Sequence, residues 1–236
     1  MSVKTLIVTG ATSGIGKELT KTFIKNKWQV IGLGRNKATL EYLKNKYCNN
    51  LSIYSCDIRK KEEVVRTFKD IFEKHKKIDI LVNNAATFKR SNFKDCDFND
   101  IDSIIDTNLK GTMYCTLEIV KHMLKKEVNG RIINIASVAS THGIKKQSVY
   151  CASKYGLNGF SESLNQELID HNISISTIFP GGVDTPLWNS KNEYPGGDIA
   201  NILKPKDIAN LVDYISKLEN RIILKNLTIF PSNEWH

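Results

Sequence analysis

The chain has 236 residues, 41% hydrophobic and 25% charged, with a formal net charge of +9. That length suits one domain with a continuous core, and the composition is that of an ordinary globular protein, not a disordered or fibrous chain. The positive excess comes from lysines scattered over many segments (Lys25 and Lys27, Lys60 and Lys61, Lys76 and Lys77, Lys125 and Lys126). No basic run is interleaved with stacking aromatics, so a solvated surface is expected and no nucleic-acid partner.

Residues 3–9 form a short apolar run ending in a glycine turn, the pattern of a buried strand. Residues 14–26 then carry Ile15, Leu19, Phe23 and Ile24 at helical spacing. A second strand is expected over 29–33, a polar helix over 37–46 and a third strand over 51–55. Val64, Val65, Phe68 and Phe72 mark a helix over 61–75, followed by a short strand at 80–82. After an irregular polar stretch, 101–125 reads as one long helix and 131–136 as a fifth strand. Residues 150–170 form a further helix, 173–179 a sixth strand, and 206–218 a last helix after a Pro205 start. A final strand falls at 227–230. Strands alternating with helices at this pitch imply an α/β fold, a parallel sheet covered on both faces. Residues 1–236 therefore read as a single doubly wound domain with about seven strands. The turn-rich stretch 185–203, with Pro186, Pro195, Gly196 and Gly197, is expected to be a lid or binding loop.

Five cysteines (Cys48, Cys56, Cys96, Cys115, Cys151) include no C-x-x-C pair, which suggests neither a disulfide framework nor a zinc site and fits a reducing compartment. The N-terminus lacks the features of a signal peptide, and no apolar run approaches the ~20 residues of a membrane helix. A cytoplasmic protein with no membrane partner is expected.

Between the first strand and first helix lies Thr9-Gly10-Ala11-Thr12-Ser13-Gly14-Ile15-Gly16. Glycines here let the backbone turn tightly against a ligand, and the helix start offers free N–H groups and a positive dipole end, a combination that favours a pyrophosphate. The second strand ends Gly32-Leu33-Gly34-Arg35, without the carboxylate that would bind a ribose 2′-hydroxyl. Arg35 instead offers a permanent planar charge to a 2′-phosphate, so NADP(H) is expected to be preferred, with NAD(H) possible. On the 150–170 helix, Tyr150 and Lys154 stand four residues apart on one face. A free phenol titrates near ~10, and lowering it toward neutrality takes roughly 4 kcal/mol. A cation about 4 Å away at an effective dielectric of ~20 supplies that much.

Taken together the chain resembles the short-chain dehydrogenase/reductase family, over essentially its whole length. The matching stretches are T-G-A-T-S-G-I-G from Thr9, N-N-A-A from Asn83, D-T-N from Asp106, N-I-A-S from Asn134, Y-C-A-S-K from Tyr150 and P-G-G-V-D-T from Pro180. The resemblance implies a Rossmann-fold oxidoreductase converting a small-molecule carbonyl to an alcohol or the reverse. Its catalytic tetrad would be Asn108, Ser137, Tyr150 and Lys154. Tyr150 would be general acid or base, Lys154 would lower its pKa and hold the nicotinamide ribose, Ser137 would polarise the substrate oxygen, and Asn108 would maintain a water relay. Gly10, Thr12, Ser13, Gly14, Ile15, Gly16, Arg35, Asp57, Ile58, Asn84, Ala85, Pro180, Gly181, Val183 and Thr185 would hold the cofactor, together with Tyr150 and Lys154, while Asn83 would mainly stabilise the sheet. Ala136 and Ala86 stand where the family more often has serine and glycine. Phe93, Ile144 and Trp188 are expected as apolar substrate contacts, and His142, Lys145, Lys146 and Gln147 as polar ones. The resemblance also implies a homo-oligomer, a tetramer or dimer, to which Met113, Leu117, Met123, Phe160 and Leu164 would contribute. The rival readings are an NAD-dependent alcohol or sugar dehydrogenase and a catalytically silent cofactor-binding regulator.

Overall fold

The computed structural model describes residues 3–47, 50–188, 194 and 201–232. Seven parallel strands form one sheet in the order β3-β2-β1-β4-β5-β6-β7. They are β1 (Thr5–Thr9), β2 (Gln29–Gly34), β3 (Leu51–Ser55), β4 (Ile80–Asn83), β5 (Arg131–Ile135), β6 (Ser174–Pro180) and β7 (Asn226–Ile229). The helices between them are α1 (Gly14–Lys25), α2 (Lys37–Lys46), α3 (Lys61–Lys74), α4 (Phe98–Ile105), α5 (Thr112–Lys125), α6 (Ser148–Leu168) and α7 (Pro205–Lys217). The expected elements are all present, with ends shifted by a residue or two. Pro205 does open α7. The strands of the central sheet are apolar nearly throughout because both faces are covered.

Alternation along β1 shows how the sheet divides the core. Leu6 and Val8 pack on one face with Leu19 and Phe23 of α1 and Ile208, Val212 and Ile215 of α7. Ile7, between them, packs on the other face with Val64, Phe68 and Ile71 of α3 and Cys115, Ile119 and Met123 of α5. Successive side chains of a strand point to opposite faces, so this one run serves both layers. Each such Leu, Ile or Phe contributes about 1.5–3 kcal/mol by leaving water.

Several features differ from expectation. The long helix over 101–125 starts earlier, at Phe98, with Asp97 accepting from Asn99 N at its N-cap. It also contains a π-helical turn, Asp106–Gly111, separating α4 from α5. Apolar spacing cannot distinguish one wide turn from ordinary helix, and such turns often occur at functional sites. Short 3-10 turns at Phe93–Asp95 and Val138–Ser140 were also not expected. Of the 185–203 loop, residues 185–188, 194 and 201–203 are described; Pro195, Gly196 and Gly197 lie outside the described residues, as does Cys48. Among the described residues no helix is long and apolar enough to cross a membrane.

A buried polar strut ties the sheet to its helices below the strand ends. Asn83 Nδ2 donates to Thr116 Oγ1 and to Asn134 Oδ1, each at 2.9 Å. Asn134 Nδ2 donates to Ser161 Oγ at 2.8 Å. Buried networks of this kind help fix one arrangement of a core, and this one sets β4 and β5 against α5 and α6, with Asn83 Oδ1 left without a partner.

Candidate active site

Strand order reverses between β1 and β4, the place where an open parallel sheet leaves a crevice at its carboxyl edge. A cleft of about 340 Å³ opens there, running from Arg35 at one end to Trp188 at the other.

The turn after β1 is built for close approach. Gly10 has φ +69°, and a Cβ on it would lie 2.9 Å from Ala85 Cα. Ser13, the N-cap of α1, makes no side-chain cap bond, and the first turn holds no acidic residue. The leading N–H groups and positive dipole end of α1 therefore remain available to an anion. Gly10, Thr12, Ser13, Gly14 and Ile15 line the cleft. Gly16 does not. A Cβ there would lie 2.1 Å from Gly10 O, so Gly16 has a packing role that lets α1 fold against its own turn.

The adjoining wall comes from β2, β3 and β4. Thr9 Oγ1 accepts from Asn84 N and Ala85 N, both at 3.0 Å, locking the end of β4 to the glycine turn. Asn84 Nδ2 also donates to Thr9 O at 2.9 Å. Asn84, Ala85, Asp57, Ile58 and Arg35 all line the cleft. The Asp57 carboxylate accepts from Arg59 Nη2 at 2.6 Å and from Arg59 N at 3.1 Å. That side-chain hydrogen bond is the largest cause holding the carboxyl below its usual range. Asp57 thus closes its own loop as well as facing the cleft. Arg35 is exposed and makes no hydrogen bond to a described residue.

At the far end, Ser137 follows β5, Tyr150 and Lys154 come from the first turns of α6, Pro180 ends β6, and Gly181, Val183 and Thr185 follow it. Tyr150 and Lys154 are 8% and 2% exposed, so both titratable groups lie in a low-dielectric interior. Lys154 Nζ donates to Ile135 O at 3.0 Å and sits 5.6 Å from the Tyr150 ring centroid. Burial pushes the phenol up to about 12, with the Ser137 hydroxyl drawing it partly back. Burial pushes the ammonium down to about 7. Desolvation is the largest cause acting on the phenol, and the amine's hydrogen bond goes to a strand carbonyl.

Asn108 lies within the π-helical turn, 1% exposed. Its Oδ1 accepts from Thr87 N at 2.8 Å, and its Nδ2 donates to Thr87 O at 3.0 Å and to Ser153 Oγ at 3.1 Å. The side chain therefore clamps the segment after β4 to α6 beside the tyrosine and does not reach Lys154.

Of the expected substrate contacts, Ile144, Gln147 and Trp188 line the cleft. Phe93 does not; it is 67% exposed on its 3-10 turn. His142, Lys145 and Lys146 are also exposed and lie off the cleft. The aromatic that turns inward is Phe88, edge-on to Tyr150 with centroids 4.9 Å apart. Leu187 and Tyr194 join it, and none of these three was singled out from sequence. The only available signal was their position in irregular stretches after β4 and β6.

An elongated ligand with a central diphosphate fits this arrangement. The uncapped helix start lies midway, an exposed arginine stands at one end, and a buried phenol, hydroxyl and amine stand at the other.

Comparison with known proteins agrees with the geometry. The model of the short chain dehydrogenase family matches residues 4–196. An uncharacterised oxidoreductase of Staphylococcus saprophyticus is 31% identical, with 97% of each chain covered. A serine dehydrogenase solved in closed form with NADP+ superposes with a TM-score of 0.91 at 29% identity, covering 98% of this chain and 96% of that one. ElxO with NADP bound gives 0.88 at 26% identity, over 97% of each chain. With its sheet order, its glycine turn and this match over most of its length, the chain is an oxidoreductase of the short-chain dehydrogenase family.

Proposed function

We propose that this oxidoreductase uses NADP(H) to interconvert a carbonyl and an alcohol on a small molecule, with Tyr150 as the general acid/base. The observation that carries the reading is the convergence of Ser137, Tyr150 and Lys154 at the buried end of the cleft. The dinucleotide, when bound, supplies or accepts the hydride at the carbonyl carbon. Gly10, Thr12, Ser13, Gly14 and Ile15 would hold its diphosphate. Arg35, Asp57, Ile58, Asn84 and Ala85 would hold the adenosine side. Pro180, Gly181, Val183 and Thr185 would hold the nicotinamide side, with Lys154 on its ribose.

The chain's own residues manage the proton and the charge. As the carbonyl carbon gains hydride, its oxygen gains negative charge, and the hydroxyls of Ser137 and Tyr150 are donors placed to stabilise it. The Tyr150 proton then passes to that oxygen, completing the CH–OH product, and the phenolate is neutralised by proton return past Lys154. Asn108 acts by position, fixing Thr87 and Ser153 around the phenol.

NADP(H) preference rests on Arg35, and the NADP complexes of serine dehydrogenase and ElxO support it. Charge-assisted pairing with a 2′-phosphate is the strongest contact available at this end of the cleft. Replacing Arg35 with alanine is expected to weaken NADPH binding roughly 10–100-fold, with NADH binding little altered. Fluorescence titration of both cofactors measures this; wild-type protein that binds NADH as tightly as NADPH removes the preference.

Residues 1–236 act as one unit in this reading, working in the cytoplasm. Assembly into a tetramer, or failing that a dimer, would use α5 and α6, which leave Leu117, Leu124 and Tyr155 exposed. Met123 is fully buried under the sheet and takes no part. Light scattering at micromolar concentration is expected to report an oligomer, and a monomer there would contradict it.

A further inference from the structure

The adenosine end of the cleft holds an ion pair that the proposed chemistry does not use. Asp57 lines the cleft wall just after β3, and its side chain is 13% exposed. Arg59, which does not line the cleft, grips that carboxylate from three of its nitrogens. Its Nε lies 2.9 Å from Oδ1 and 3.1 Å from Oδ2, its Nη2 2.6 Å from Oδ2, and its backbone N 3.1 Å from Oδ1. The main chain beneath is pinned as well. Asp57 N donates to Oε2 of Glu63, on the first turn of α3, at 3.0 Å, and Lys60 pairs with Glu63 at 3.1 Å.

An ionised carboxylate has about four acceptor positions. Arg59 N and Nε take both positions on Oδ1, and Nη2 takes one on Oδ2. Among the described residues no other group donates to this carboxylate, so one position is left, on Oδ2. The guanidinium fork fixes the plane of the carboxylate as well as pairing its charge. The same hydrogen bond holds Asp57 below the usual carboxylate range, so the group stays ionised and the remaining position can only accept. Leu33, Ile58 and Ala85 give this wall its apolar surface. Ile58 is itself held by the π-helical turn, where a Cβ on Gly111 would come within 2.7 Å of it. An anion is repelled by Asp57 and served by Arg35. What Asp57 can take is a neutral N–H donor on the edge of a flat, largely apolar ring.

We propose that Arg59 is a positioning residue for base selection: by filling three acceptor positions of Asp57 it fixes the last one as a reader of the base's exocyclic amine. A fixed acceptor selects the place of a donor as well as its presence. Adenine carries its N–H on the 6-amino group. Hypoxanthine has a carbonyl oxygen there and its N–H on the neighbouring ring nitrogen. A carboxylate locked by the fork meets that oxygen and cannot follow the displaced donor, whereas a free one can turn to it. The inference deepens the dinucleotide half of the proposed function and rests on it.

Fluorescence titration of NADPH and of its hypoxanthine analogue, without substrate, gives two dissociation constants whose ratio is the readout. The wild type is expected to bind NADPH about 10–100-fold tighter, the range of one hydrogen bond to a charged group. In Arg59→Met, which keeps the apolar stem and loses the fork, the ratio should fall to about threefold or less. Asp57→Asn should bring it to about one or invert it, because Arg59 still holds the amide oxygen and the amide N–H then meets the hypoxanthine oxygen. A wild-type ratio near one overturns the proposal, whatever the variants do. So does an Arg59→Met protein that weakens both dinucleotides alike, which marks a loop tie only. So does one that loses NADPH relative to NADH at an unchanged base ratio, which marks charge compensation only. Failure of the wild type to bind either dinucleotide sinks the cofactor reading and this inference with it. Base-selective binding with no turnover of any carbonyl leaves the Arg59 assignment standing and sinks the carbonyl-reductase reading instead.

Discussion

Tyr150→Phe is expected to lower turnover at least a hundredfold and up to about ten-thousandfold, the range that general acid catalysis supplies. The variant removes one oxygen and little else. The ring keeps its edge-on packing against Phe88, and the residue is buried in both proteins, so folding should be nearly unaffected. What disappears is the proton that the developing oxyanion takes up. Ser137 still offers a hydrogen bond to that oxygen, which is why some activity above background should persist. Single-turnover oxidation of bound NADPH, followed by absorbance, separates this loss from any change in cofactor affinity. Turnover within tenfold of wild type at saturating NADPH would take Tyr150 out of the proton-transfer role.

How much of this was legible in the chain depends on which physical rule each feature obeys. The strands were readable because a doubly covered parallel sheet demands near-continuous apolar runs, and glycine or polar punctuation bounds them. The glycine turn and the Tyr150–Lys154 spacing were readable because both are local: a tight turn and one helical repeat. Features set by tertiary contact were not. Phe88 and Phe93 lie in the same irregular stretch, and nothing local distinguishes the one packed on Tyr150 from the one facing solvent. Gly16 stands beside the diphosphate turn in sequence, but its small size serves the contact with Gly10 O. The π-helical turn hides within helical periodicity. Most instructive is the phenol. A pairwise Coulomb argument gave its partner but left out the cost of burying both groups, and that cost is the larger effect on each.

The same cost yields the second large expectation: Lys154→Met should lose activity and gain stability together. Turnover should fall at least a hundredfold, because the proton route past the amine and its hold on the cofactor ribose are both lost. Stability should rise because burial lowers the amine from 10.5 to about 7. Below about 7 the amine is charged in the folded and unfolded chains alike, and the fold bears the full penalty of a buried ammonium. Between about 7 and 10.5 the unfolded chain binds more protons, so wild-type stability increases with pH across that window. Above it both states are neutral and the penalty vanishes. The full shift corresponds to at most about 5 kcal/mol. Losing the hydrogen bond to Ile135 O gives back about 1 kcal/mol, and relaxation of the site reduces the remainder. A net gain of about 2 kcal/mol at pH 7, or roughly 4–8 °C in Tm, is a reasonable size for a chain of this length. The gain should shrink steadily toward pH 10; measurements stop there because Tyr150 ionisation begins to destabilise both proteins. Thermal unfolding of the two proteins at intervals between pH 6 and 10 measures the gap. Equal melting temperatures at pH 7, or a gap that stays constant with pH, would mean the buried amine is not what the fold is giving up to keep its chemistry.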